Sequence, residues 1–366
     1  MRHGLLDLLA CPACRGPFAL DVFGEVGAEV DEGLLSCGGC DRRYPVIAGV
    51  PRMLDEPLRS SLVTGLDGFT ARHGVELHGS ESGTRAVRAA ESIAVAKGFE
   101  FEWSKYTEAR GEDERELERY LGDVLRSDDF RGKTVLDAGC GQGRLAHFVA
   151  TFGARAVVAL DLSEAILQGK EHLAPFEGMV HRVQGDIFAL PFGPAFDIIY
   201  SIGVLHHLPE PERGFRELVA RVRPGGQVFA WTYGESAVVP PLRAARRLTA
   251  RLPHALMWPL SFPPAAGLYA LTLVYRAARA IPGLGPLADR IPFHQYSDQS
   301  FRKLWITALD HLTTPIVHYY RREDMEAWLE RAGLEDRVVS ERWAGRAGST
   351  WRICGTRPAV AAPAGG

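Results

Sequence analysis

The sequence predicts an α/β fold: alternating strands and helices, a small cysteine-stapled module in front of them and a helical insertion near the end. Three observations predict it. An apolar strand, Val135-Leu136-Asp137, runs into a turn with glycine at every second position, Gly139, Gly141 and Gly143. Further apolar strands follow at the spacing of β-α units, several of them ending in an acid. Two Cys-x-x-Cys pairs lie within the first forty residues.

At 366 residues there is room for two domains with separate cores. A hydrophobic content of 46% and a charged content of 24% are ordinary for a globular protein. A net charge of -3 provides no global attraction to nucleic acid. Met1 to Leu5 opens no long apolar core, so a secretory signal is not expected and the predicted location is the cytoplasm.

In the N-terminal module, Cys11-Pro12-Ala13-Cys14 and Cys37-Gly38-Gly39-Cys40 are two knuckles separated by 22 residues. That spacing suits a tetrahedral site of four thiolates, with structural zinc the first choice and redox or iron–sulfur roles the alternatives. Four thiolates leave no open position for catalysis, whereas ligation supplies folding energy that a module of this size lacks. Phe18 to Val22 and Gly33 to Ser36 read as a hairpin between the knuckles.

In the α/β part, the glycines remove side chains where the backbone must meet a ligand, and a helix from Arg144 to Phe152 aims its N-terminus at the same place. Two phosphate-binding motifs do not fit. A P-loop needs Lys-Ser or Lys-Thr after the last glycine, where Arg144-Leu145 stands, and the dinucleotide fingerprint needs two residues where only Gln142 lies. Asp137 precedes the first glycine, and a carboxylate there suits a cation better than a pyrophosphate. Asp161 ends the next strand, where an acid accepts from both hydroxyls of a ribose. Asp186-Ile187 follows a third strand, and an acid there can accept from an adenine amino group. A fourth strand, Phe196 to Tyr200, leads into Ser201-Ile202-Gly203-Val204-Leu205-His206-His207-Leu208-Pro209. A helix from Glu212 to Val222, the turn Arg223-Pro224-Gly225-Gly226 and a fifth strand, Val228 to Thr232, complete the series.

This ordered series, over roughly residues 130 to 235, resembles the class I S-adenosylmethionine-dependent methyltransferases. The resemblance implies a Rossmann-like seven-stranded methyltransferase sheet and S-adenosylmethionine as cofactor. It implies cofactor contacts from Asp137, Gly139, Cys140, Gly141, Gly143, Asp161, Leu162, Asp186, Ile187 and Ser201. The run Leu5 to Phe18 together with Cys37 to Leu54 resembles the Trm112-type zinc ribbon, a family that includes activators of methyltransferases. Fused here, it implies support in cis. Such ribbons also dock RNA, but residues 1–57 hold five Arg, no Lys and nine acids, the wrong sign for phosphate.

The expected organisation is a ribbon over 1–57, a glycine-containing loose linker over 58–98, the core over 99–235, a helical insertion or lid over 236–310, the end of the fold over 311–357 and a disordered tail over 358–366. Trp103 and Tyr106 share a helix face, either as core or as a lid over the methionine end of the cofactor. Glu112 to Leu125 reads as an acidic, solvated outer helix.

The insertion holds an uncharged stretch, Ala255 to Tyr275, broken by Pro259, Pro263 and Pro264, which argues against a membrane span. Leu242, Ala245, Leu248, Thr249 and Leu252 share a face opposite the arginines. A lid over an apolar acceptor, a dimer surface or packing, and a peripheral membrane contact through 242–280 compete. Arg321 to Ala332 should be a helix capped by Gly333, followed by a last strand pair, Glu335 to Trp343 and Ser349 to Thr356.

A sulfonium methyl donor is already reactive, so positioning dominates and a base is needed only where the acceptor loses a proton. His206 and His207 are the candidate catalytic groups, and His318, Tyr319, Tyr320, His294 and Tyr296 the candidate acceptor contacts. The expected activity is O- or C-methylation of a small apolar or amphiphilic molecule. An rRNA or tRNA base methyltransferase and a non-catalytic cofactor-binding scaffold are the alternatives. Neither the acceptor nor the oligomeric state is written in the sequence.

Overall fold

The computed structural model describes residues 1–77, 83–106, 110–342 and 349–359. The ribbon contributes β1 (Phe18–Val26), β2 (Glu29–Cys37), β3 (Arg43–Ile47) and β4 (Val50–Met53), and helices α1 (Leu58–Leu62), α2 (Leu66–His73), α3 (Gly83–Lys105) and α4 (Arg110–Leu121) follow. The alternating series runs β5 (Thr134–Ala138), α5 (Arg144–Thr151), β6 (Ala156–Asp161), α6 (Ala165–Gln168), α7 (Lys170–Leu173), β7 (Val180–Gly185), β8 (Phe196–Ile202), α8 (Pro211–Val219) and β9 (Val222–Gly234). Then come α9 (Val239–Thr249), α10 (His254–Leu260), α11 (Phe262–Ala280), α12 (Gly285–Ala288), α13 (Phe301–Thr313), α14 (Arg322–Arg331), β10 (Glu335–Arg342) and β11 (Ser349–Thr356). Gly333 follows α14 at φ +66°, a left-handed position that closes the helix as expected. Trp343 and the tail beyond residue 359 lie outside the described residues.

The seven expected strands are present as β5 to β11, but the sheet has eleven. Its order is β1-β2-β3-β4-β7-β6-β5-β8-β9-β11-β10. The count differs because the ribbon does not stand apart: β4 pairs in parallel with β7, Arg52 opposite Gln184 and Met53 opposite Gly185. This covers the row of backbone groups that an edge strand would otherwise expose. One apolar cluster crosses the junction, joining Leu5, Val30, Leu35 and Val46 of the ribbon to Leu136, Leu160 and Phe192 of the alternating series. The buried Arg52 guanidinium donates to Gln184 Oε1 at 2.8 Å and Glu164 Oε1 at 3.2 Å.

Two expectations need correction. The stretch 58–98 is no loose linker. It forms α1, α2 and most of α3, held by a cluster that includes Leu54, Leu58, Leu62, Ala89 and Ala96. Nor is the start of α4 a solvated face, because Asp113 and Glu116 are buried against Arg144 and Lys303. A helix dense in acids reads as surface unless its cations are visible, and these come from distant segments.

Candidate functional site

The glycine turn lies between β5 and α5, with φ of +87° at Gly139, +57° at Gly141 and +79° at Gly143. A Cβ on Gly141 would sit 2.5 Å from the Trp103 ring, and one on Gly139 would sit 2.3 Å from Val204. Only glycine fits both the backbone angle and the space. Gly139 and Cys140 donate their N–H groups to Leu160 O at 2.8 and 3.0 Å, which fixes the turn on β6. Asp161 Oδ2 accepts from Gly141 N at 2.7 Å, while Oδ1 accepts from Ser163 N at 2.8 Å and Ser163 Oγ at 2.6 Å. Asp186 Oδ1 accepts from Phe188 N at 2.9 Å and caps the short turn that follows.

A cavity of about 120 Å³ opens along these strand ends, lined by Gly139, Asp161, Leu162, Asp186, Ile187 and Trp103 among others. Asp137 is sealed beneath the turn, and its Oδ2 has no hydrogen-bond partner among the described residues. Burial pushes its carboxyl up to about 7, the Tyr200 hydroxyl eases it down and Asp161 pushes it further up. Burial also raises Asp161, against the bonds from Ser163 and Gly141. Asp161 and Asp186 line the open space, while Asp137, Gly141 and Gly143 lie outside its lining. Ser201 and Cys140 serve the scaffold instead. Ser201 Oγ donates to Ala138 O at 2.8 Å and Cys140 is buried, and neither lines the cavity.

A second cavity of about 700 Å³ adjoins the first, sharing Phe99, Trp103, Ile202 and Gly203 with it. Its walls come from α3, α9, α11 and α13, and Tyr106, Tyr296 and Tyr319 line it. Most of the lining is apolar. The charged exceptions form two groups, Glu116 with Arg144 and Lys303, and Glu102 with Asp310 and His311. Asp310 accepts from Tyr233 Oη at 3.1 Å and Thr314 Oγ1 at 2.6 Å. Burial opposes its charge, but His207, His311 and those bonds hold its pKa below the ordinary value. Glu102 is buried nearby, and burial together with the Asp310 charge raises it well above the usual carboxyl range. Burial and neighbouring charge thus push these two carboxyls in opposite directions, Glu102 up and Asp310 down. Glu102, Asp310, Tyr233 and Phe99 were missed from sequence. The i, i+3, i+4, i+7 run Phe99, Glu102, Trp103 and Tyr106 was the signal that could have found two of them.

The two histidines separate. His207 lines the smaller cavity, and its Nδ1 lies 2.9 Å from Ile316 O. A carbonyl only accepts, so Nδ1 carries the proton and Nε2 keeps its lone pair. His206 is fully buried between His207 and Tyr233, lines neither cavity, and neither ring nitrogen has a partner among the described residues. Burial lowers the pKa of both rings. Among the expected acceptor contacts, His318, Tyr320 and His294 line neither cavity. His318 N donates to His206 O, Tyr320 O accepts from Trp351 Nε1, and His294 stacks on Tyr275.

At the far edge of the sheet, the sulfurs of Cys11, Cys14, Cys37 and Cys40 all lie within 4.8 Å of one another. Cys14 and Cys37 are 3.3 Å apart and Cys11 and Cys40 3.7 Å, near the ~3.8 Å edge of a tetrahedron with metal–sulfur bonds of about 2.3 Å. Gly16 N and Gly39 N point at Cys14 Sγ and Cys37 Sγ, supplying donors to thiolates.

Residues 136–230 match the methyltransferase-domain family, and residues 2–49 match the Trm112p-like protein family. The chain carries a methyltransferase domain fused to a Trm112-like module. The tRNA U34 carboxymethyltransferase of Pseudoalteromonas translucida is 39% identical over 28% of this chain and 33% of its own length. The ubiquinone biosynthesis O-methyltransferase of Aromatoleum aromaticum is 39% identical over 29% of this chain and 46% of its own. The chain therefore spans less than half the length of these relatives. A solved S-adenosylmethionine-dependent methyltransferase from Mesorhizobium loti aligns over 66% of this chain and 98% of its own, at 20% identity and a TM-score of 0.40. β4 pairs with β7 as far as Gly185, the residue before Asp186.

Proposed function

We propose that this protein uses S-adenosylmethionine to methylate, at oxygen or carbon, a small apolar or amphiphilic acceptor carrying a hydroxyl or enol group. The observation that supports it is the pair of adjoining cavities. The smaller has acids suited to a cationic nucleoside, and the larger is mostly apolar and carries Glu102 and Asp310 in its lining.

The residues present fit the cofactor. Asp137 offers an orphaned buried oxygen, and Gly139, Asp161 and Asp186 line the smaller cavity. Asp161 would hold the ribose hydroxyls, Asp186 with Ile187 the adenine, and Trp103 would cover the methionine end together with Gly139, Gly141 and Gly143. When bound, S-adenosylmethionine supplies an electrophilic methyl group. The chain's own part is to orient the acceptor, exclude water and handle one proton. Glu102 and Asp310 give a hydroxyl both a donor and an acceptor. Tyr296 and Tyr319 confine the body of the molecule. His207 Nε2, neutral and unprotonated, is the base that accepts a proton where the acceptor must lose one. His206 is assigned to packing. The four thiolates would hold a structural zinc, with no role in transfer.

Labelled S-adenosylmethionine incubated with the protein and fractionated cell extract tests the reading. Label should enter the lipid or small-molecule fraction, be insensitive to ribonuclease, and fall with His207→Asn through kcat rather than KM. Label confined to RNA would overturn it.

A further inference from the structure

Ten of the fourteen large hydrophobic side chains exposed among the described residues lie between Leu248 and Leu287. They are not scattered. On α11, Gly267, Ala270, Val274, Ala277 and Ile281 follow helical spacing, all are exposed and none is polar; Leu273 lies beside them. A neighbouring face of the same helix, about 100° round, carries Pro264, Leu268 and Leu271 and lines the large cavity. A helix apolar on both faces needs an apolar neighbour on each. The inner face has the acceptor cavity, and the outer face has no apolar neighbour among the described residues. Leu248 and Leu252 extend the surface from α9, and Leu256 and Leu260 from α10, each pair one helical turn apart. Two positions depart from the sequence expectation for α9. Leu248 is 76% exposed, while Arg246 is buried and donates to His311 O at 2.9 Å.

Charge says what covers this face. Residues 241–290 contain seven arginines and one acid, Asp289. Some of the arginines are engaged: Arg243 with Glu235, Arg276 with Ser297 O, and Arg279 with Asp289. Arg247, Arg251 and Arg290 are exposed and have no partner among the described residues. Exposed leucines bordered by free guanidiniums match the boundary between acyl chains and anionic headgroups. A protein partner or second copy would need an acidic rim to meet them, and residues 241–290 offer a second copy only Asp289. No helix of the described residues is long and apolar enough to cross a membrane, so the helices would lie in the plane of the surface.

From these observations we infer that α9 to α11 and the segment through Leu287 form a docking surface for an anionic lipid bilayer. Because α11 also walls the large cavity, a docked molecule holds that cavity against the acyl-chain boundary, where a lipophilic acceptor is dissolved. This last step rests on the proposed acceptor class. The surface itself does not.

The test is flotation of the full-length, zinc-loaded protein with vesicles of phosphatidylcholine alone and with phosphatidylglycerol added. Binding should require the anionic lipid and weaken as salt is raised. Arg247→Glu with Arg251→Glu should lower partitioning by roughly five-fold or more per arginine. Leu273→Glu with Val274→Glu, both on the outer face, should abolish partitioning without altering cofactor affinity, which reports that the fold is intact. Absent vesicle binding, or equal binding to neutral vesicles, would overturn the inference. So would a wild-type dimer in light scattering that the α11 variant splits, because a second copy would then cover the face. The vesicle assay needs no acceptor, so its failure leaves the methyl-transfer proposal standing, and failure of methyl transfer leaves the surface standing.

Discussion

Neutralising Asp137 should stabilise the empty protein at alkaline pH while destroying its affinity for cofactor. The carboxyl is 2% exposed and is raised from 3.8 to about 7, chiefly by burial. The unfolded chain ionises near the lower value and the folded chain near the higher. The contribution is therefore fully present below about pH 4 and is lost as the pH climbs to 7. At ~1.4 kcal/mol for each tenfold change, the interval is worth up to ~4 kcal/mol. Asp137→Asn removes that charge with little change of shape. Thermal unfolding of the empty wild type from pH 5 to 8.5 should show the midpoint falling with pH. The variant should fall less, retaining the part that belongs to Asp161, and should lie several degrees above wild type at pH 8. Added S-adenosylmethionine should raise the wild-type midpoint and leave the variant unmoved, and calorimetric titration should show the same loss. Parallel pH slopes for the two proteins, or unchanged affinity in Asp137→Asn, would refute the reasoning.

Gly141→Ala should lose cofactor affinity by at least an order of magnitude, measured by titration, because the new Cβ meets the Trp103 ring while the backbone holds a left-handed angle. For protein loaded with zinc at the four thiolates, chelation, or replacing Cys14 with Ser, should unfold the ribbon and also weaken cofactor binding, since β4 pairs with β7, the strand that leads into Asp186. Zinc content and affinity should fall together, and retained affinity in metal-free protein would count against the coupling. Lys303→Met should cost about 3–5 kcal/mol in denaturant unfolding, because it leaves Glu116 buried with Arg144 as its remaining cation. Burial alone would raise Glu116, but Arg144 and Lys303 hold it down at about 2, so the loss should appear at neutral pH and shrink as the pH falls towards 2.

What could be read from sequence was what short segments decide for themselves. The glycine turn, the acids at Asp161 and Asp186, and the paired cysteines are local patterns whose chemistry is fixed within a few residues. The fold class followed from their order. What escaped depended on partners far along the chain. Glu116 looks solvated until Arg144 and Lys303 are brought to it, the latter from 187 residues away. His206 and His207 are indistinguishable as letters, and only packing against Tyr233 seals one while Ile316 orients the other. The large cavity has no motif, since its walls are assembled from α3, α9, α11 and α13, and ordinary apolar residues become a binding site only through the gap they leave.

The parallel pairing of β4 with β7 has a consequence for how such a protein is made competent. An activator that arrives as a separate chain must find its enzyme at a concentration above their dissociation constant, and the active fraction then varies with the supply of both. Here the supporting strand is tethered to the strand it supports, so the association is intramolecular and insensitive to dilution. It also fills the slot. A free ribbon added in excess has no vacant β7 edge to join, so it should neither bind this chain nor change its activity.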